Sequence, residues 1–96
     1  MLRVSAFEWD QANIGKVEAH DLSPDDVESL FAFGHPVFRR NSQVPGRFIA
    51  LGFVPDGRFT LVVFTYNKKR RTVRAVTAYE PTDPSWRLRY DAVKKD

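Results

Sequence analysis

Residues 47–79, RFIALGFVPDGRFTLVVFTYNKKRRTVRAVTAY, decide the fold because strand-like segments alternate in them with short turns. Arg47–Val54 and Phe59–Tyr66 are rich in aromatic and β-branched residues, which favours strands, and the Pro-Asp-Gly sequence between them is typical of a hairpin turn. After a second turn that contains lysines, Arg71–Tyr79 alternates along its length. Such short connections join antiparallel neighbours, so this stretch predicts a meander.

Two helices are predicted upstream of the meander, each with a recognisable start. Asp10 is a suitable N-cap for a first helix over Gln11–Ala19. Ser23 is a suitable N-cap for the second helix, with a proline at the first helical position and Asp26 at the place where a capping box has its acid. Gly34 is expected to end this helix.

Three shorter elements complete the prediction. Arg3–Glu8 and Val37–Arg40 are predicted strands, and a terminal helix follows a cap at Thr82 or Asp83. Residues 1–96 therefore form one predicted α+β domain, in which two helices pack on a four-stranded antiparallel meander sheet. The short N-terminal strand and the C-terminal helix are additions to this arrangement.

Composition excludes several functional classes. The chain of 96 residues contains no cysteine, so disulfides, cysteine-based zinc sites and thiol nucleophiles are absent. No apolar run reaches the roughly 20 residues that span a bilayer, and the N-terminal sequence MLRVSAFEWD lacks the apolar stretch of a signal peptide. Phosphate-loop, dinucleotide-binding and nucleophile-elbow motifs are also absent, and two histidines are too few for a histidine-rich metal site. We therefore expect a cytoplasmic protein that uses no metal or cofactor and binds no membrane.

Charge is distributed unevenly along a chain whose formal net charge is +3. Acids predominate up to residue 33, whereas arginines and lysines predominate from residue 39 onward. This asymmetry has two interpretations. Either a basic strand layer binds a polyanion, or the cations keep exposed strands in solution and block edge pairing.

The side chains that remain for chemistry are His, Tyr, Lys and Arg, and they suit the cleavage of RNA phosphodiesters. That reaction needs an acid and a base for two oxygens, and cations for the charge that develops on phosphorus. His20 has the most suitable ordinary pKa for an acid or a base. Arg47 and Arg74 lie on predicted strands and can clamp a phosphate, whereas Tyr79 can donate a hydrogen bond or stack on a base.

Each of these residues also has a purely structural interpretation. A histidine near a helix C-terminus commonly compensates the helix dipole. Strand arginines are commonly solvated, a tyrosine can fill the rim of a sheet, and the two tryptophans can be core residues. The basic run is either a solvated hairpin tip or a grip on a phosphate backbone, formed by Lys68, Lys69, Arg70 and Arg71.

Ordered motifs over nearly the whole chain resemble the BrnT family, whose members are toxins of bacterial type II toxin–antitoxin systems. The motifs include FEWD at Phe7–Asp10, HDL at His20–Leu22, RFIALG at Arg47–Gly52 and VRAVTA at Val73–Ala78. The resemblance implies a RelE-like fold and a metal-independent endoribonuclease that inhibits translation. It also implies a BrnA-like antitoxin as partner, and contact with DNA only through the toxin–antitoxin complex.

The resemblance also indicates where the family's site would lie in this chain. By matching positions, its basic and histidine residues fall on Lys16, His20, Arg47 and Arg74. The family usually has a basic residue before this histidine and a glycine after it, where this chain has Ala19 and Asp21. A second hypothesis follows from these two positions: a BrnT-like binding or regulatory module without ribonuclease activity.

Overall fold

The computed structural model describes residues 2–95, and these form an α+β fold with three helices and a five-stranded mixed sheet. The strands are β1 (Ala6–Phe7), β2 (Val37–Arg40), β3 (Phe48–Phe53), β4 (Phe59–Asn67) and β5 (Thr72–Tyr79). The helices are α1 (Gln11–Glu18), α2 (Pro24–Phe33) and α3 (Ser85–Lys94). Across the sheet the strand order is β1-β5-β4-β3-β2, with β2 and β1 at the two edges.

The predicted sheet is wrong in strand number and direction, because β1 joins the meander as a parallel fifth strand beside β5. Ala6 lies opposite Thr72 and Phe7 opposite Val73 in this pairing. The Glu8 amide continues it by donating to the Val73 carbonyl at 2.8 Å. This pairing covers backbone groups of β5 that would otherwise form an open edge. The strand is also shorter than the predicted Arg3–Glu8.

The prediction of two helices packed on the sheet omits a third layer, since α3 covers part of the opposite face. On that face Val37, Leu51 and Leu61 are buried together with Tyr90 of α3. The physical reason is that β3 and β4 carry apolar residues on both faces, and a sheet of this kind needs cover on both sides. The cap of α3 was predicted at Thr82 or Asp83, but the N-cap position is Pro84. The Asp83 carboxylate still accepts a hydrogen bond from the Ser85 amide at 2.9 Å.

The starts of α1 and α2 confirm the predicted caps. The Asp10 carboxylate accepts the Asn13 amide at 3.1 Å, and the Asn13 side chain accepts the Asp10 amide at 2.7 Å. Ser23 and Asp26 make the same reciprocal pair at 3.1 and 3.0 Å. Both helices thus begin with a complete capping box.

The end of α2 is fixed by close backbone packing at Gly34. A Cβ atom at this position would lie 2.2 Å from the Phe53 carbonyl oxygen and 2.7 Å from that of Leu30. Only glycine allows the helix end to approach β3 this closely. The Phe53 amide then donates to the Gly34 carbonyl at 3.0 Å, which ties the helix end to the sheet.

One buried amide places α1 along the edge of β5 beyond the end of β1. Asn13 is 3% exposed, and its side-chain amide donates to the Ala75 carbonyl at 3.0 Å and to the Glu8 carbonyl at 2.9 Å. Val17, one turn later, enters the core under the helices. The helix therefore runs beside β5, with Lys16 on its exposed side. His20 lies in the turn that follows the helix and is also exposed.

Within residues 2–95, no helix combines the length and the hydropathy that crossing a membrane requires.

Candidate nucleic-acid interface

A groove of about 460 Å³ remains on the α3 face of the sheet where the helix does not cover the strands. Its floor is formed by Ile49, Leu61 and Val63. We call it the arginine groove, and its walls are formed by Arg39, Arg40, Asn41, Ser42, Gln43, Tyr79, Trp86 and Arg89. No acidic residue lines it among those that the structure describes.

The arginines of this groove form no close ion pair within residues 2–95. No carboxylate within residues 2–95 lies within 4.0 Å of Arg39, Arg40 or Arg89. Arg89 interacts at longer range with Asp83, whose pKa is lowered first by the Ser85 amide and more weakly by Arg89. The guanidinium of Arg89 lies 5.1 Å from the centre of the Trp86 ring, in cation–π contact. Guanidinium groups bind phosphate oxygens and aromatic planes stack on unpaired bases, so the groove combines the two features that hold single-stranded nucleic acid.

Tyr79 and His20 meet at the β5 wall of the groove. Their ring centres lie 5.8 Å apart with a tilt of 49°. Tyr79 is half-buried at the end of β5, whereas His20 is exposed in the turn after α1. The course of α1 along β5 thus brings together two predicted site residues that are far apart in sequence. An imidazole and a phenol beside a cationic groove can exchange protons with a bound phosphodiester.

The backbone at Asp21 explains how an aspartate can follow this histidine. Asp21 has φ 63°, in the left-handed region that glycine adopts freely and aspartate tolerates better than most residues. The Arg58 side chain donates to the Asp21 carbonyl at 3.0 Å and supports this conformation. The turn that carries His20 therefore keeps a glycine-like course without glycine.

A second depression of about 380 Å³ contains three of the predicted cations. Lys16, Arg47 and Arg74 all line it, and we call it the lysine pocket. It lies next to the arginine groove, because Thr65 of the lysine pocket and Val63 of the groove are two residues apart on β4 and share one face of the sheet.

Arg74 is already neutralised within the lysine pocket. Its guanidinium contacts the Glu8 carboxylate at 3.1 Å and the Asp10 carboxylate at 2.9 Å. The hydrogen bond from the Asn13 amide and, to a smaller extent, the Arg74 guanidinium hold the pKa of Asp10 below its ordinary value. Lys16 and Arg47 have no carboxylate within 4.0 Å among residues 2–95, so they supply the uncompensated charge of the pocket.

The basic run at the β4–β5 turn lines neither depression. Lys68, Lys69, Arg70 and Arg71 are all exposed at the tip of this turn. The Asn67 side chain accepts the Arg70 amide at 3.0 Å and Arg71 has φ 53°, so the turn has a defined shape. Any contact of this run with RNA would lie outside the two concave sites.

Tyr79 is the only residue lining the arginine groove, among those that the structure describes, that was a predicted site residue. The charged and aromatic residues that the prediction missed are Arg39, Arg40, Trp86 and Arg89. The sequence contains a partial signal for two of them, since Trp86 and Arg89 stand three apart on a helix and so share a face. Nothing local indicates that this face meets β2 and Tyr79, because that contact depends on where α3 packs.

Groups of three or more His, Cys, Asp or Glu residues that could hold a metal ion are absent from residues 2–95. The chain matches no known protein-family model, and no curated protein is significantly similar to it.

Proposed function

We propose that this protein is a BrnT-like toxin that cleaves single-stranded RNA without a metal ion and thereby inhibits translation. The observation that carries the proposal is the arginine groove, which lies beside the Tyr79–His20 pair. Its three arginines have no carboxylate within 4.0 Å in residues 2–95. The motif resemblance supports it independently. As parts of the same proposal, the protein acts in the cytoplasm, is held inactive by a BrnA-like antitoxin, and meets DNA only through that complex.

RNA binding is assigned to the groove and the adjoining lysine pocket. Arg39 and Arg89 contact phosphate oxygens, while the Trp86 ring stacks on an unpaired base. Lys16 and Arg47 bind a neighbouring phosphate at the other end of the same sheet face. The exposed basic run Lys68–Arg71 adds long-range attraction for the RNA backbone.

Cleavage is assigned to His20 with Tyr79. The ribose 2′-oxygen attacks phosphorus and loses its proton to the neutral His20 imidazole, and the bond from phosphorus to the 5′-oxygen breaks. The departing oxygen takes a proton from solvent or from the Tyr79 hydroxyl, so the products are a 2′,3′-cyclic phosphate and a 5′-hydroxyl. Arginine charge stabilises the pentavalent transition state, in which the phosphoryl oxygens are most negative.

The test is cleavage of a fluorogenic single-stranded RNA by the purified chain in EDTA. We expect His20→Ala to lower the rate by about 100-fold or more, and Tyr79→Phe to lower it less, since general acid–base catalysis contributes about 10²–10⁴-fold. His35→Asn is the matched control, because asparagine tolerates the φ of 52° at this second histidine. Equal rates for wild type and His20→Ala would exclude the mechanism.

A non-catalytic binding module is the second candidate, and the pairing of Arg74 favours it. With its guanidinium held by two carboxylates, Arg74 offers less charge to a transition state than an unpaired arginine does. In this case an uncleavable RNA binds to wild type and to His20→Ala with equal affinity, and neither protein cleaves the natural substrate. Replacement of Arg39 and Arg89 by alanine still weakens binding.

A further inference from the structure

Phe33 is the most exposed large apolar side chain among residues 2–95, with 81% of its surface accessible at the last position of α2. It borders a groove of about 840 Å³ that is larger than the arginine groove. We call it the apolar groove, and its apolar lining includes Leu2, Val4, Phe31, Phe33, Pro36 and Phe38. Isolated exposed apolar residues are ordinary, whereas apolar side chains grouped around one groove form a candidate interaction site.

The apolar groove runs beside an open strand edge. β2 pairs with β3, and no strand among residues 2–95 lies on its other side. The Asn41 amide, which follows β2, donates to the Arg47 carbonyl beside β3. In an antiparallel pair the residues whose peptide groups point toward the neighbouring strand alternate with residues whose peptide groups point away from it. The peptide groups of Phe38 and Arg40 therefore point outward, where they can bond to an added strand.

The charge around the edge selects the kind of strand. His35 and Lys94 line one end of the apolar groove, and none of its lining residues is acidic. Arg39 and Arg40 stand at the other end of β2 without a carboxylate within 4.0 Å in residues 2–95. A second copy of the chain would bring Lys94, Arg39 and Arg40 against like charges, whereas an acidic segment complements them.

We propose that the β2 edge and the apolar groove bind an extended, acidic and amphipathic segment of a partner protein. The segment adds as a strand to β2 through the outward peptide groups of Phe38 and Arg40. Its apolar side chains lie on the Phe38 side and enter the groove beside Phe33, while its acidic side chains alternate with them and lie on the Arg39 side. The inference stands on this surface and does not rest on RNA cleavage.

The experiment uses a display library of random peptides of about twelve residues, long enough to span the strand and both ends of the groove. Peptides are selected against the full chain alone, and their binding is then compared with binding to its Phe33→Ser variant, which changes a side chain that is already exposed. Leu88→Ser is the matched control, because Leu88 is 69% exposed on α3 and lines neither groove.

We expect the selected peptides to alternate apolar and acidic residues. Phe33→Ser should weaken their binding by about tenfold or more, which corresponds to about 1.4 kcal/mol, and Leu88→Ser should leave it unchanged. Bound peptide should shift the amide resonances of Phe38 and Arg40 in NMR spectra.

Three outcomes would overturn the proposal. Selected peptides that lack acidic residues contradict the charge argument, and equal binding to the Phe33→Ser variant contradicts the site. Self-association of the chain that Phe33→Ser abolishes, measured by sedimentation, would assign the surface to a second copy instead.

Discussion

At the scale of single residues, Asn13 has the largest influence on where the candidate site lies. Its side chain completes the capping box of α1 by accepting the Asp10 amide, donates to the Ala75 carbonyl at the β5 edge and is almost fully buried. The capping function of Asp10 was predictable, because caps depend on neighbours in sequence. The bond to Ala75 was not, because the two residues are 62 positions apart and no local pattern connects them.

Two glycines of this chain should respond in opposite directions to alanine. Gly34→Ala places a Cβ 2.2 Å from a backbone oxygen, so we expect the free energy of unfolding to fall by about 1–3 kcal/mol. Gly15→Ala meets no atom within 4 Å in the middle of α1, so alanine should raise the free energy of unfolding by up to about 1 kcal/mol. Urea denaturation measures both changes, and a neutral Gly34→Ala would contradict the close packing of α2 on β3.

At the scale of elements, α3 is held to the sheet by Tyr90. The Tyr90 hydroxyl donates to the His35 carbonyl at 2.7 Å, and its ring packs on Phe53 and Phe59 at 5.5 and 5.3 Å. The guanidinium of Arg87 covers the same two phenylalanines. These contacts fix the position of Trp86 and Arg89 and hence the shape of the arginine groove.

The anchoring of α3 should weaken in alkali. Burial raises the pKa of Tyr90 above its ordinary value of 10.0. The unfolded chain then loses this proton first as pH rises, so the stabilisation is complete below pH 10 and is lost above it. Tyr90→Phe should lower the free energy of unfolding by about 1 kcal/mol at neutral pH and should make the decline above pH 10 shallower. Denaturant titrations at several pH values test this, and identical slopes for the two proteins would contradict it.

The sequence predicted the helices and the meander because their signals are local. Caps, turn residues and strand periodicity act within a few positions of one another, and they indicated α1, α2 and the strands from β2 to β5. The pairing of β1 with β5 and the packing of α3 on the second face depend on contacts between distant segments. Lys16, Arg47 and Arg74 were predicted as a group only through the motif resemblance, since they are far apart in sequence. Arg39 and Arg89 lie outside those motifs and were not predicted.

At the scale of the whole molecule, the modest net charge of +3 conceals a strong separation of charge. The caps and ion pairs occupy many of the acids, including Asp10, Asp21 and Asp26. Most cations on the α3 face of the sheet lack such partners, so the electrostatic field there exceeds what the net charge suggests.

Binding of RNA to this face should therefore depend steeply on salt. We expect the logarithm of the association constant to fall linearly with the logarithm of salt concentration, by about 0.7 per phosphate contact for a single strand. Replacement of Arg39 and Arg89 by alanine should reduce this slope by about 1.4. The measurement uses RNA methylated at every 2′-oxygen, which cannot be cleaved. Arg87→Ala, at an arginine already paired with Asp91, should leave the slope unchanged, and equal slopes for all variants would contradict the assignment of the groove.

The alternation of β2 has a consequence for how the two surfaces communicate. Phe38 faces the apolar groove and Arg39 faces the arginine groove, although the two residues are adjacent on one short strand. An acidic segment on the strand edge and an RNA in the groove would draw on the same guanidinium. Thermodynamic linkage then requires each ligand to weaken the other by an equal factor. The bound partner would therefore lower the affinity of the chain for RNA, and bound RNA would lower its affinity for the partner, so that the abundance of either ligand controls the occupancy of the other site.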